Sequence, residues 1–229
     1  TEFPWPATSG GPVRTLSQLR IVCSLPEVDE VTLLSVTERP VPDSEGRALE
    51  RAVDKLKVIP PIFHPIHLFD FKRYVPRVVA LRAMKGIPYL VGKWDSRKLR
   101  KTLRHELAAT PVDVVYIDHL GMAGYLKDIK SERPSCRTVL DQHNVESDFF
   151  KQFAEEKTGP KKVVAQIEYR AARSFEERAL REVNAVVAIS HEDAKHFNAL
   201  ANVRAHVVPV VMTFEQKTRK HPGKPHFCY

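Results

Sequence analysis

The feature that most constrains this chain is a repeated alternation of short apolar, β-branched runs with longer stretches that carry apolar residues every three or four positions. "VDVVYID" (112–118), "RTVLDQH" (137–143), "AVVAIS" (185–190) and "HVVPVV" (206–211) are runs of the first kind. They suit strands buried on both faces, and the amphipathic stretches suit the helices that cross between them. Strands alternating with helices form a parallel sheet with right-handed crossovers. The expected class is therefore α/β, a Rossmann-like three-layer α/β/α domain with a mostly parallel sheet. Earlier, "EVTLLSV" (30–36) and "LKVIPPIFHPIH" (56–67) read as two further strands, the second stopping at its prolines, with Pro40, Pro42, Asp43 and Gly46 in a loop between them. Helical periodicity is expected over 68–84, 96–108 and 161–183. In the last of these, Val164, Ile167, Ala171, Phe175 and Ala179 form the apolar stripe.

At the amino end, "TEFPWPATSGGPVRTLSQLR" sets Gly10, Gly11 and Pro12 directly before an amphipathic run. Proline suits the first position of a helix. Val13, Leu16, Leu19 and Cys23 then share one face, which leaves Arg14, Ser17 and Arg20 on the more exposed side. The helix start turns its free N–H groups and positive dipole end toward the glycines, the arrangement that binds anions.

In open parallel sheets ligands bind beyond the carboxyl ends of the strands. That rule selects Asp118 and His119 after one strand, His143, Asn144 and Glu146 after the next, and Ser190 after a third. Ser190 begins "SHED", a serine three residues before an acid, and reads as a helix cap. His119 and His143 each end an apolar strand, where a polar ring faces a cleft. "HPIH" (64–67) spans a proline and has no nearby cysteine, so it reads as loop and not as a metal site. In "GKWDSRKLRKTLRHEL", Trp94, Leu99, Leu103 and Leu107 lie on one helical side among Lys93, Arg97, Lys98, Arg100, Lys101 and Arg104. A basic amphipathic segment of this kind can lie on an anionic leaflet at ~1 kcal/mol per cation. The same leucines are what a crossover helix packs into a core.

A formal net charge of +8 suits an anionic partner. Nucleic acid is set aside, because the chain carries no zinc finger, glycine-aromatic RNA signature or clear helix-turn-helix pattern. The three cysteines, Cys23, Cys136 and Cys228, are far apart and odd in number. They give neither a disulfide framework nor paired zinc spacing, and fit a reducing cytoplasm. No apolar stretch approaches the ~20 residues of a membrane span.

Taken together, "FPWPATSGGPVRT", "PYLVGKWDSRKLRKTLRHEL", "DVVYIDHLGMAGYL", "VLDQHNVESDFF" and "FEERALREVNAVVAISHEDAKHF" resemble, in this order, the acceptor-side half of group 1 (family 4) retaining glycosyltransferases. The resemblance runs from Phe3 to about Val211. It implies one half of the two-Rossmann-domain architecture called GT-B. It also implies transfer of a sugar from a nucleotide-sugar substrate to a hydroxyl of a glycan or lipid-linked acceptor, with no cofactor and no obligatory metal, on the cytoplasmic side and with a peripheral membrane contact. Residue by residue, it assigns Gly10 and Gly11, with Arg14, to the donor diphosphate. It places His143 in the cleft near the transferred sugar as the catalytic candidate, and puts His119, Asn144 and Asp118 on the acceptor side. The usual account is same-face attack, with the leaving diphosphate taking the acceptor's proton, so His143 is a positioner and not a nucleophile.

The resemblance also implies a central first strand, of which Thr1 and Glu2 would be the remainder, leaving ladder groups open on both neighbours. It divides the chain into a domain over 1–212 and, over 213–229, a linker leading into a second half that holds most of the nucleotide pocket. Two other readings remain open on sequence: a noncatalytic module that keeps the cleft for a glycan or anionic ligand, and a sugar epimerase of the same layout.

Overall fold

A computed structural model describes residues 1–8, 10–64 and 86–209. The expected helix over 68–84, the end of the last expected strand (210–211) and the expected linker over 213–229 lie outside the described residues. The fold is α/β with parallel strand pairs. Helix α1 (Gly10–Ser24) is followed by strands β1 (Val31–Leu33) and β2 (Val36–Thr37), helix α2 (Asp43–Ala52), and strands β3 (Leu56–Val58) and β4 (Ile62–Phe63). Next come α3 (Tyr89–Gly92), α4 (Arg97–Ala109), β5 (Val114–Asp118), a 3-10 turn (Leu120–Tyr125), α5 (Leu126–Glu132) and β6 (Arg137–Gln142). The order closes with α6 (Glu146–Glu156), α7 (Gly159–Glu182), β7 (Ala185–Ala188), α8 (His191–Ala201) and β8 (Ala205–Val207).

Strands β5, β6, β7 and β8 form one parallel sheet in that order. Its register sets Ile117 beside Leu140 and Leu140 beside Val186, and, one residue on, Asp118 beside Asp141. Side chains alternate across a strand. Ile117, Leu140 and Val186 therefore enter one core cluster, together with Leu120, Phe175, Leu180 and Phe197, while the two aspartates point to the opposite face, toward α1.

The two early strands each break once. β1 pairs with β3 and β2 with β4, and Ile59 N–H to Leu33 O (3.0 Å) and Ile62 N–H to Ser35 O (2.9 Å) carry the ladder across the breaks. Pro60 and Pro61, which have no N–H, account for the gap on one side. The first residues run parallel to β2: Val36 N–H donates to Thr1 O (2.8 Å) and Phe3 N–H to Val36 O (2.9 Å). The Thr1 hydroxyl also bonds Asp118 at the end of β5. Thr1 to Phe3 thus pair with β2 through the backbone and reach the end of β5 through the Thr1 side chain, and the ladder groups of Val36 that were expected to be open are satisfied.

Two expectations are corrected. The stretch read as a loop through Asp43 and Gly46 contains α2: Asp43 and Glu45 lie in its first turn, favourably placed at a helix start, and Leu49 is fully buried. A Cβ at Gly46 would make only ordinary contact with Val58, so the glycine does not signal a turn. Arg14, placed on the exposed side of α1, is 2% exposed, with Leu16 and Cys23 buried beside it in a second core formed by α1, α2, β1 and β3.

The basic stretch forms α4. Ser96 Oγ caps it by accepting from Leu99 N–H (3.3 Å); Leu99 and Leu107 are buried, and Leu103 and Trp94 pack against the same core. Arg100 and Arg104 are tied to Asp128, while Arg97, Lys98 and Lys101 face solvent. Among the described residues no helix is long and apolar enough to cross a membrane.

Candidate functional site

The carboxyl ends of β5 and β6 gather the sequence-selected residues, and helix α1 closes over them. Asp118 is the hub. His143 Nε2–H donates to its Oδ1 (2.8 Å), and Thr15 Oγ1 donates to its Oδ2 (2.9 Å). Arg14, the residue before Thr15 on α1, forms an ion pair with Asp141 Oδ1 and donates to the Val208 carbonyl (3.2 Å). Arg14 and Asp141 are both essentially buried, at 2% and 0% exposure. A buried charge is tolerated only when paired, so Arg14 is committed to holding Asp141 in place.

The electrostatics follow from this packing. Burial alone would raise the Asp118 carboxyl, but the hydrogen bond and charge of His143, helped by His119, outweigh it and hold Asp118 well below the usual carboxylate range. Asp118 is therefore an anion that fixes one ring nitrogen of His143 and leaves Nδ1 for other partners. His119 is the opposite case. Burial, partly offset by Asp118, pushes its imidazole down to about 3, so the ring is neutral. Its Nδ1 accepts from Gly121 N–H (3.1 Å), which puts the ring proton on Nε2.

His119 also has φ 60° and ψ 158°, a backbone region that side-chain-bearing residues rarely enter. Three contacts impose it: His119 N–H donates to Asp141 O (2.9 Å), Gly121 is bound by the ring, and the Trp94 ring lies 5.1 Å away, centroid to centroid. The His119 and His143 rings stand edge to face at 6.1 Å. Such strain is a mark of functional sites, and here it falls on His119, one of the two histidines that the sequence selected.

Asp118, Asp141 and His143 also offer three donor atoms within 4.8 Å of one another, a spacing a divalent cation can use. Arg14 already supplies Asp141 with positive charge, which weakens the case for a dication there.

The remaining sequence-selected residues fall around this centre. Gly10 and Gly11 are exposed at the start of α1, and a Cβ added to either would meet nothing within 4 Å among the described residues. Packing among the described residues does not require them to be glycine. Asn144 separates from His143 and lines a neighbouring cavity of about 480 Å³ with Glu146, Phe149, Gln152, Glu192 and His196. Ser190 is a cap, as read: its Oγ accepts from Asp193 N–H (3.1 Å). His64 Nε2 bonds Lys93 O (2.9 Å).

Sequence reasoning missed Asp141, Arg14's partner, because it sits inside the apolar run "RTVLDQH". It also missed Glu176, fully buried on α7, which lies in a stretch that reads as solvated helix. Register was the available signal for Asp141, since it pairs with Asp118 across the sheet.

No protein-family model matches the chain, and no curated protein or solved structure does either.

Proposed function

We propose that this chain is the Rossmann-like, acceptor-side half of a GT-B glycosyltransferase that moves a sugar from a nucleotide-sugar donor to a hydroxyl of a glycan or lipid-linked acceptor, with retention. The observation that carries the reading is the Asp118–His143 hydrogen bond at the carboxyl edge of a parallel sheet, beneath the glycine-opened start of α1. An anionic Asp118 holds the His143 ring in one orientation, so Nδ1 meets a sugar hydroxyl without reorganising.

In the reaction the bond from the anomeric carbon to the diphosphate breaks as the bond to the acceptor oxygen forms on the same face. The departing diphosphate takes the acceptor's proton. The chain's contribution is placement. The N–H groups at Gly10 and Gly11 face the diphosphate, with Arg14 beneath them as a brace for Asp141. Neutral His119 offers Nε2–H to the acceptor side. The cavity at Asn144 suits a polyhydroxylated ligand, with carboxylates to accept from hydroxyls and Phe149 to cover a sugar face.

The test is nucleoside diphosphate release by the full reading frame that contains the chain, using UDP-, GDP- and TDP-sugars with a membrane extract as acceptor. Release should depend on the extract. It should fall on the order of 10²-fold in His143→Ala, as when one preorganised hydrogen-bonding group is lost. No release with any donor, from protein shown to be folded, would turn the reading to a noncatalytic glycan-binding or anion-binding module. Product formed without any acceptor would turn it to an epimerase.

A further inference from the structure

The loop that carries His143 and Asn144 is gripped from behind by a carboxyl group the proposed reaction does not use. Glu176, on α7, is 0% exposed. Its Oε1 accepts from Glu146 N–H (3.1 Å) and from Gln142 Nε2 (3.3 Å). Its Oε2 accepts from Ser147 Oγ (2.6 Å) and from Ser147 N–H (3.4 Å). Gln142 is the residue before His143, and Glu146 and Ser147 open α6 just after the loop. The helix α6 has no side-chain cap of its own at Val145. Glu176 supplies that cap from a neighbouring helix and, through Gln142, ties the end of β6 to the same point.

We propose that Glu176 is a positioning residue, a buried clamp that holds both ends of the 143–145 loop and so fixes His143 at the strand-end centre and Asn144 at the neighbouring cavity. Its consequence for turnover rests on the transferase reading above; the clamp itself does not.

The charge that bears on Glu176 comes from Glu146, on α6, and from β6 the neutral Gln142 reaches it. Burial, reduced in effect by the bonds from Ser147 and Glu146, pushes the Glu176 carboxyl up to about 7, with the charge of Glu146 adding to the rise. Burial raises Glu146 as well, against the charges of Lys93 and His143. When the clamp opens, Glu176 meets water and returns toward the ordinary carboxylate range. The closed state therefore holds the proton more tightly than the open one, and opening becomes easier as pH rises toward 7. The clamp is firm in mild acid and looser above neutrality.

Amide hydrogen exchange at Glu146 and Ser147, corrected for its intrinsic pH dependence, reads this directly and needs no substrate. In the unaltered chain, opening should increase about tenfold or more between pH 5.5 and 7.5, the scale set by a one-unit change in proton linkage. Glu176→Gln, permanently neutral and with one acceptor oxygen in place of two, should abolish the pH course and keep protected only the amide that faces its remaining oxygen. Glu176→Ala should expose both at every pH. The proposal is overturned if Glu176→Gln keeps the original pH course, or if Glu176→Ala leaves the two amides protected. In the full reading frame, Glu176→Ala should lower kcat about tenfold with KM little changed, and Glu176→Gln should restore part of it, as expected for the loss of both buried acceptor oxygens and the return of one. Unchanged kcat in Glu176→Ala would overturn the positioning role. A full reading frame with no transferase activity at all would remove the reaction, and exchange would then decide the clamp alone.

Discussion

Two regions flank the end of β6, and they distribute polarity in opposite ways. On one side, Arg14, Asp118 and Asp141 are buried charges, joined to each other through His143 or by direct pairing. On the other, the hairpin of α6 and α7 turns Phe149 (63% exposed), Phe153, Val163, Val164 (62%) and Ile167 to solvent. Burying charge and exposing apolar surface both oppose what folding alone favours, so each is informative where an exposed lysine or a buried leucine is not. The charged side is locked by specific partners. The apolar side is held from beneath, by Glu176 and by an inner row that includes Ala165, Ala172, Phe175 and Ala179. Substitutions should therefore cost most on the locked side and least at the outer positions of the other.

The contrast breaks most visibly at Arg14. Arg14→Ala leaves Asp141 buried and unpaired, and should cost about 3–5 kcal/mol in urea unfolding. Replacing the pair as a unit, Arg14→Met with Asp141→Leu, should recover most of that stability, because a buried ion pair is worth little over an apolar pair of similar volume. The double variant should keep the 2.8 Å hydrogen bond that orients His143 on Asp118 and lose only the longer approach of its Nε2 to Asp141 Oδ2, 3.8 Å. A double variant as unstable as the single one would mean that the centre is structural mortar and not a tuned site.

Acid sharpens the comparison next. His119, at about 3 in the fold, lies far below its ordinary value of 6.5, so its contribution to stability is complete above 6.5 and is lost as pH falls toward 3. Asp118, held below the usual carboxylate range, adds a loss in the same direction at lower pH. Glu176 runs the other way: raised to about 7, its contribution is complete below the ordinary carboxylate range and is lost as pH rises through 7. Urea midpoints across pH 3.5 to 8 should therefore show a maximum. His119→Asn should flatten the acid limb, and Glu176→Gln the neutral limb.

Much of this organisation is legible in the sequence. The later strands, the helix opened by Gly10 and Gly11, and the position of Asp118, His119 and His143 at strand ends all follow from hydrophobic period and the carboxyl-edge rule. Arg14 was not legible as a buried group. Periodicity sees only that a cation interrupts the polar face of a helix, and cannot see an aspartate 127 residues away that needs a partner. Helix α2 was hidden by Pro42 and Gly46, two strong turn signals that here stand at and inside a helix start. The outer half of the α7 stripe failed for the converse reason: Val164 and Ile167 have helical spacing, but the helix extends beyond the core that would cover them.

A smaller effect should come from Gly121, in the turn after His119. A Cβ there would lie 2.4 Å from Trp94 Cδ1 and 2.8 Å from His119 Cε1. Gly121→Ala must push one ring aside, at about 1–3 kcal/mol for overpacking a tight site. The Trp94 emission should shift along with the melting temperature, since its indole forms one wall of the contact. A thermal melt unchanged from the parent would show that the His119 turn is loose, against the hydrogen bonds that define it.

The smallest effect is expected on the hairpin, and its smallness is the point. Val164→Ser and Phe149→Ser remove apolar area that is already in water, so each should change stability by no more than about 0.5 kcal/mol. Phe175→Ser, on the same helix α7 but 7% exposed, should cost several-fold more, because it leaves a cavity and a buried hydroxyl together. If Val164→Ser proves as costly as Phe175→Ser, another part of the protein covers the hairpin in solution. The same loss of stability in both variants would make the exposed apolar face a packed one. A small loss, with less self-association at high concentration, would instead leave it as an open surface beside a locked site.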